Sequence, residues 1–216
     1  MIAPARGDDL AAELAIAKVV LILRDRSPED ALQLVARAVD AGVRCVEITI
    51  ETRRGRDALE AVCERFARTP LLVAAGTVRT TDDVRFARAA GARFTLSPGH
   101  ADDVVSFSNR VELPHVPGVA TPTEVLSAVR GGTTLLKAFP ASLLGPRWLA
   151  AMRGPFPEVQ FIATGGVSAR SAQSYLDGGS NAVGITAQGQ GDQEFRALRE
   201  AHLLKTPFDA GRSPRS

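Results

Sequence analysis

The sequence predicts an α/β fold, a closed (β/α)8 TIM barrel with an N-terminal leading helix, and three observations predict it. Eight short runs rich in Val, Ile and Leu recur along the 216 residues. Amphipathic stretches of helical period alternate with them, and no glycine-rich turn follows the first run. Strict alternation leaves two parallel architectures, a barrel or an open doubly wound sheet. The open sheet normally carries glycines in its first strand-to-helix turn, where this chain has Arg24-Asp25-Arg26-Ser27. The count of eight then selects the barrel.

The elements follow in order. Residues 4–16 form the expected leading helix. Strands are expected at 18–24, 43–50, 70–75, 93–97, 113–117, 133–138, 159–164 and 181–185. Most are near-continuous apolar runs, as in parallel strands covered on both faces. The clearest helices are 28–41, 55–67, 81–90, 121–130 and 168–177. Ser27-Pro28 supplies an N-cap with proline at the first helical position, and Thr121-Pro122-Thr123-Glu124 reads as a capping box. Gly42, Gly91, Gly132 and Gly178 each follow a helical stretch, where a left-handed glycine closes the last turn. His202 is expected on a terminal helix. With 45% apolar and 23% charged residues, the chain supplies one full core. Residues 1–205 are therefore expected to be a single barrel domain, and 206–216 a disordered polar tail.

Composition excludes several classes of function. The net charge is +2 and no basic stripe with interleaved aromatics exists, which argues against nucleic acid as a partner. The longest apolar runs, 19–23 and 71–76, are too short to cross a bilayer, and the N-terminal stretch does not read as a signal peptide. Cys45 and Cys63 fall in a strand-like and a helical run, which is no disulfide framework and fits a cytoplasmic protein. His100 and His115 read as loop and strand-end residues, and no ligand spacing for a metal is present. Trp148 and Tyr175 read as packing residues.

In such a barrel the chemistry belongs at the carboxyl ends of the strands. Those positions hold Arg24, Glu47, Gly76-Thr77, Ser97-Pro98, Pro117-Gly118, Lys137, Thr164-Gly165-Gly166 and Gly184-Ile185-Thr186. Only three of the 26 cationic side chains are lysines, so 23 are arginines, and a lysine in an unusual place invites a role arginine cannot fill. Lys137 lies inside the apolar strand expected at 133–138. Burial disfavours an ammonium and favours the neutral amine that attacks a carbonyl, although a lysine pairing with an acid or snorkelling outward has the same address. Glu47 is a carboxylate inside strand two, either a structural partner for Lys137 or Arg24 or a general acid/base. Gly165-Gly166, with Gly184 and Thr186 one strand later, stand where many barrels bind phosphate.

These residues resemble the KDPG/KHG aldolases, the 2-keto-3-deoxy-6-phosphogluconate and 4-hydroxy-2-oxoglutarate aldolases with their phosphogalactonate branch. The resemblance runs over residues 10–204 and rests on six motifs in order. They are Val46-Glu47-Ile48-Thr49, Ala75-Gly76-Thr77-Val78, Ser97-Pro98-Gly99, Pro117-Gly118-Val119, Leu136-Lys137-Ala138-Phe139-Pro140 and Thr164-Gly165-Gly166-Val167. It implies a class I aldolase that cleaves a 2-keto-3-deoxy sugar acid, 6-phosphorylated, to pyruvate and an aldehyde. It further implies a cytoplasmic homotrimer with a small keto-acid substrate and neither metal nor cofactor. By motif position Lys137 is the Schiff-base lysine and Glu47 the general acid/base. Thr77 helps to hold the pyruvate carboxylate, and Arg24, Pro98, Phe139, Thr164, Gly165, Gly166, Gly184 and Thr186 line the substrate pocket.

Two positions depart from the family. Glu51 stands where the phosphogluconate enzymes usually place an arginine for the pyruvate carboxylate. A like charge at ~4 Å would be repelled by a few kcal/mol at an effective dielectric of ~20. Either Glu51 points away, or Arg53, Arg54 or Arg24 supplies the cation. Ile185-Thr186 stand where the family prefers glycine followed by serine, so Ile185 removes a flexible glycine and Thr186 only partly replaces a serine hydroxyl, and Phe139–Pro146 looks more like the phosphogalactonate branch. Two further readings are a phosphate-binding barrel of another activity, with Lys137 as an electrostatic clamp, and a silent relative that binds a keto acid without turnover.

Overall fold

In the computed structural model, which describes residues 7–189 and 191–206, nine parallel strand segments form one sheet. They are β1 (Val19–Leu23), β2 (Cys45–Thr49), β3 (Leu72–Gly76), β4 (Phe94–Leu96), β5 (His115–Val116), β6 (Gly118–Val119), β7 (Leu135–Ala138), β8 (Gln160–Thr164) and β9 (Ser180–Thr186). The order is β5-β4-β3-β2-β1-β9-β8-β7-β6. Its two ends, β5 and β6, are halves of one strand divided at Pro117, so the sheet curls into a barrel. Proline has no N–H to donate, and the strand breaks there. Its carbonyl still accepts the Lys137 N–H at 2.8 Å, which carries the ladder across the break. The eight expected strands are therefore present, with the fifth divided and lying at 115–119 rather than 113–117.

Helices fill the intervals: α1 (Gly7–Ala17), α2 (Pro28–Ala41), α3 (Arg53–Phe66), α4 (Thr81–Ala89), α5 (Asp102–Arg110), α6 (Pro122–Arg130), α7 (Ala141–Leu144), α8 (Pro146–Arg153), α9 (Ala169–Asp177) and α10 (Asp192–Glu200). The Ser27 side chain accepts from the Asp30 N–H, and Thr121 with Glu124 makes both bonds of the capping box. Gly42, Gly91 and Gly132 adopt φ of +100°, +89° and +82°, whereas Gly178 does not. Its φ is −69°, and the following Gly179 takes +101°. Gly178 is a spacing requirement instead, since a methyl there would lie 2.9 Å from the Pro146 carbonyl oxygen. His202 lies in the turn after α10, not on a helix. Of the expected leading helix and tail, residues 4–6 and 207–216 lie outside the described residues. No helix among the described residues is long and apolar enough to cross a membrane.

Side-chain alternation divides the core. Outward residues such as Leu21, Val46, Ile48 and Val73 pack under α2 and α3. Those of β7–β9, such as Leu136, Phe161, Val183 and Ile185, pack under α8–α10. Inside the barrel, the first residues of several strands (Cys45, Leu72, Phe94, Leu135) meet Leu10, Ala11, Leu14 and Ala17 of α1. That helix closes the amino-terminal mouth. Leu10 and Leu14 are buried to 1% and 0% exposure, and each contributes about 2 kcal/mol by leaving water. The opposite end is built from polar residues.

Candidate active site

One register step above the apolar interior, the inward positions become Glu47 on β2, Lys137 on β7 and Thr164 on β8. All three side chains are buried, with residue exposures of 1%, 5% and 1%. Nζ of Lys137 lies 3.4 Å from Oε1 of Glu47, across the barrel from one wall to the other. The phenyl ring of Phe139, two residues on and on the same face, has its centroid 5.3 Å from Nζ. The second carboxylate oxygen of Glu47 and the hydroxyl of Thr164 are buried with no protein partner. Leaving such groups unbonded costs about 1–3 kcal/mol each, so this end of the barrel is poised to bond a guest.

Glycines shape the space around the pair. A methyl at Gly76, on the strand beside β2, would lie 2.2 Å from Oε1 of Glu47. At Gly184 it would lie 2.6 Å from Cγ2 of Thr164 and 3.0 Å from Cδ1 of Ile22. Gly165, at φ +90°, lies under the Phe139 ring, and Gly166, at φ +77°, sits against the Ser142 hydroxyl. The carbonyl of Gly165 accepts the Ser142 N–H at 2.9 Å, which ties this turn to α7. The glycine pair does not itself open a helix. Ser168, two residues after the pair, caps α9 and already accepts the Ser171 N–H.

Arg24 leaves the end of β1 and pairs with Glu51, which follows β2. Glu51 is thus balanced by Arg24. The other two arginines considered for the carboxylate point elsewhere, Arg53 facing Asp57 and Arg54 facing Asp30, both on the helix side. One oxygen of Glu51 takes Arg24 while the other is buried and unpartnered. Close packing of α3 onto β2 fixes this corner, for a methyl at Gly55 would lie 2.1 Å from the Thr49 carbonyl.

Thr77 holds φ +61°, a conformation costly for a β-branched residue, just past β3. Pro98 is exposed, and its carbonyl lies where a methyl on Gly118 would come within 2.4 Å. Thr186 is exposed at the end of β9, on the barrel rim. Ile185, at the position where the family prefers glycine, faces the opposite way into the helix layer and is 3% exposed. Lys137, Glu47, Phe139, Thr164, Gly165 and Gly184 are thus brought together, while Arg24, Thr77, Pro98, Gly166 and Thr186 stand around them.

Tyr175 serves this end of the barrel as well, since its hydroxyl donates to the Ala141 carbonyl at 3.0 Å and anchors α7. The sequence assigned site roles to neither Gly76 nor Gly118. The available signal was a strand glycine at the level of a buried charge, for Gly118 pairs with Lys137 and Gly76 flanks Glu47. Cys45 lies in the barrel interior and Cys63 on α3, both as free thiols raised by burial, that of Cys63 to about 12. Among the described residues no three His, Cys, Asp or Glu side chains gather as metal ligands.

Residues 10–194 match the family model described as KDPG and KHG aldolase. The chain is 37% identical to the 2-dehydro-3-deoxy-phosphogluconate aldolase of Pseudomonas aeruginosa, covering 80% of this chain and 76% of that one. It is 32% identical to the probable 2-dehydro-3-deoxy-6-phosphogalactonate aldolase of Rhizobium meliloti, covering 82% of each. Its fold is similar to that of the KDPG aldolase of Legionella pneumophila, a structure with pyruvate captured as a covalent carbinolamine. That likeness has a TM-score of 0.77 and 31% identity, over 89% of this chain and 92% of that one.

Proposed function

The chain belongs to the KDPG and KHG aldolase family and is an aldehyde-lyase, and on that premise we propose how its own residues carry the reaction. The substrate is a 2-keto-3-deoxy sugar acid, 6-phosphorylated, and Lys137 is the nucleophile. The observation that carries this reading is the buried Lys137–Glu47 pair, 3.4 Å apart, beside a Thr164 hydroxyl and a Glu47 oxygen left free.

Glu47 takes a proton from the Lys137 ammonium, and the neutral amine adds to the C2 ketone of the substrate. Glu47 returns a proton to the carbinolamine oxygen, and water leaves as the protonated imine forms. Carbon–carbon cleavage needs the C4 hydroxyl proton removed and an electron sink at C2. The Glu47 carboxylate accepts that proton, directly or through a water, while the C3–C4 bonding pair moves toward the iminium nitrogen. The aldehyde departs, glyceraldehyde 3-phosphate for a six-carbon phosphorylated substrate. The remaining enamine takes a proton at C3, and water hydrolyses the imine to pyruvate and the free lysine.

Arg24 and Thr77 serve the carboxylate, Phe139 and Pro98 wall the pocket, and Gly165, Gly166, Gly184 and Thr186 leave space for the distal end. A phosphogalactonate or hydroxyglutarate substrate is the second reading. Glu51 in the usual arginine position and the Phe139–Pro146 stretch favour it. The resemblance also supports a cytoplasmic homotrimer.

The test is reductive trapping. Pyruvate with borohydride should add a reduced pyruvyl group to Lys137, found by peptide mass, and Lys137→Arg should take none although it keeps the charge. Failure to label Lys137, or turnover by Lys137→Arg, would overturn the reading. Pyruvate release from the three keto-acid types then identifies the substrate.

A further inference from the structure

Resting on Lys137 as the Schiff-base residue, we infer that His115 is a positioning residue for it, acting through Ser97 and the Pro98-Gly99 turn. His115 begins β5 and alternates with Val116, which faces the barrel interior, so its ring lies on the outer side of the wall. It is 8% exposed and stands between two hydroxyls of the neighbouring strand segment, Thr95 and Ser97.

The hydrogen-bond directions are fixed by counting hydrogens. Ser97 has one hydroxyl hydrogen and gives it to the Gly99 carbonyl at 2.6 Å. Toward Nε2 of His115, 3.1 Å away, it must therefore accept, so Nε2 carries the ring hydrogen. In the neutral ring Nδ1 is then an acceptor, and Thr95 donates to it at 2.7 Å in preference to the Pro114 carbonyl at 3.4 Å. The three bonds run in one direction, from Thr95 through the imidazole and Ser97 to the Gly99 carbonyl. The ring in this chain is neutral, as burial and the smaller influence of His100 favour by pushing it down to about 4.

The hydrogen-bonded chain ends on the turn that meets β6, the strand segment beside the lysine strand. The Pro98 carbonyl and Gly99 nitrogen lie 2.4 Å and 2.7 Å from where a methyl on Gly118 would be, so turn and strand are in backbone contact. Gly118 pairs directly with Lys137, and the adjacent Pro117 carbonyl holds the Lys137 N–H at 2.8 Å. At Pro117 the strand lacks a donor, which makes an external brace for this segment useful. A leucine would fill the volume of His115 without the cost of burying an imidazole, but it could not aim the turn.

The experiment compares wild type with His115→Leu, His115→Gln, Ser97→Ala and the His115→Leu/Ser97→Ala double variant. Folding is checked by circular dichroism. Both single losses should lower kcat about 10- to 100-fold, the size expected from misplacing a reacting group, with KM within about twofold. His115→Gln retains an N–H for Ser97 and should recover much of kcat. The double variant should be no worse than either single one, because both break the same chain. Unchanged kcat in Ser97→Ala, or multiplying effects in the double variant, would overturn the proposal. Borohydride trapping on wild type separates the two readings: a labelled wild type with unaffected variants removes only this one, whereas an unlabelled wild type removes the lysine mechanism itself.

Discussion

Gly76 leaves the space that Glu47 occupies: a methyl on residue 76 would stand 2.2 Å from Oε1, 2.6 Å from Cγ and 2.7 Å from Cδ of that side chain. The carboxylate thus lies over the backbone of the adjacent strand, and the glycine is required by volume rather than by left-handed backbone. Because the same Oε1 faces Nζ of Lys137, displacing it breaks the 3.4 Å approach.

Gly76→Ala is therefore expected to cut kcat by about 100-fold while costing about 1–3 kcal/mol of stability from overpacking. Steady-state pyruvate release and urea unfolding measure the two separately. Full activity with the alanine in place would show that Glu47 does not need its observed position.

With Arg24 in its proposed place at the substrate carboxylate, the Arg24–Glu51 pair would govern substrate affinity. Arg24 remains half exposed at the mouth while Glu51 draws on one edge of its guanidinium. Glu51→Gln keeps the shape and removes the competing charge, so KM for the keto acid should fall about two- to fivefold, the worth of a solvated ion pair, with kcat unchanged. Arg24→Ala should raise KM. A higher KM in Glu51→Gln would instead mean that Glu51 orients Arg24 more than it neutralises it.

His115 makes stability depend on acid. Its folded value, about 4, lies below the ordinary 6.5 because burial disfavours the imidazolium, so the unfolded chain binds the proton more readily. Stability from this group is complete above pH 6.5 and is lost as pH falls toward about 4, amounting to about 3 kcal/mol. Urea melts at pH 7.5 and 4.5 should show this slope in wild type and lose that share of it in His115→Leu. Equal slopes would refute the assignment.

Much of this was legible in the sequence for identifiable reasons. Apolar runs such as Val19–Leu23 and Gln160–Thr164 have few alternatives to parallel strands, and Ser27 and Thr121 announce their helices by capping chemistry. The helices without such a signal were the ones given no bounds: α5 starts after Ala101, α7 after Pro140, α8 after Gly145 and α10, the expected terminal helix, after Gly191, none with a side-chain cap. Lys137 and Glu47 stood out because a charge inside an apolar strand demands a reason. Their supports did not. Arg24 and Glu51 meet across 27 positions, and the hydroxyls that flank His115 come from a strand about 20 residues away. Such pairings exist only once the barrel has curled.

Helix α1 seals one end of the barrel, and that decides traffic. Under the proposed chemistry the vessel is blind-ended, with the tethering amine deep inside and a single doorway above. The aldehyde, freed on the doorway side, must depart while pyruvate is still bonded to the lysine. In the condensation direction pyruvate must dock before its partner. Release and binding are thereby ordered by plumbing alone, without any moving gate.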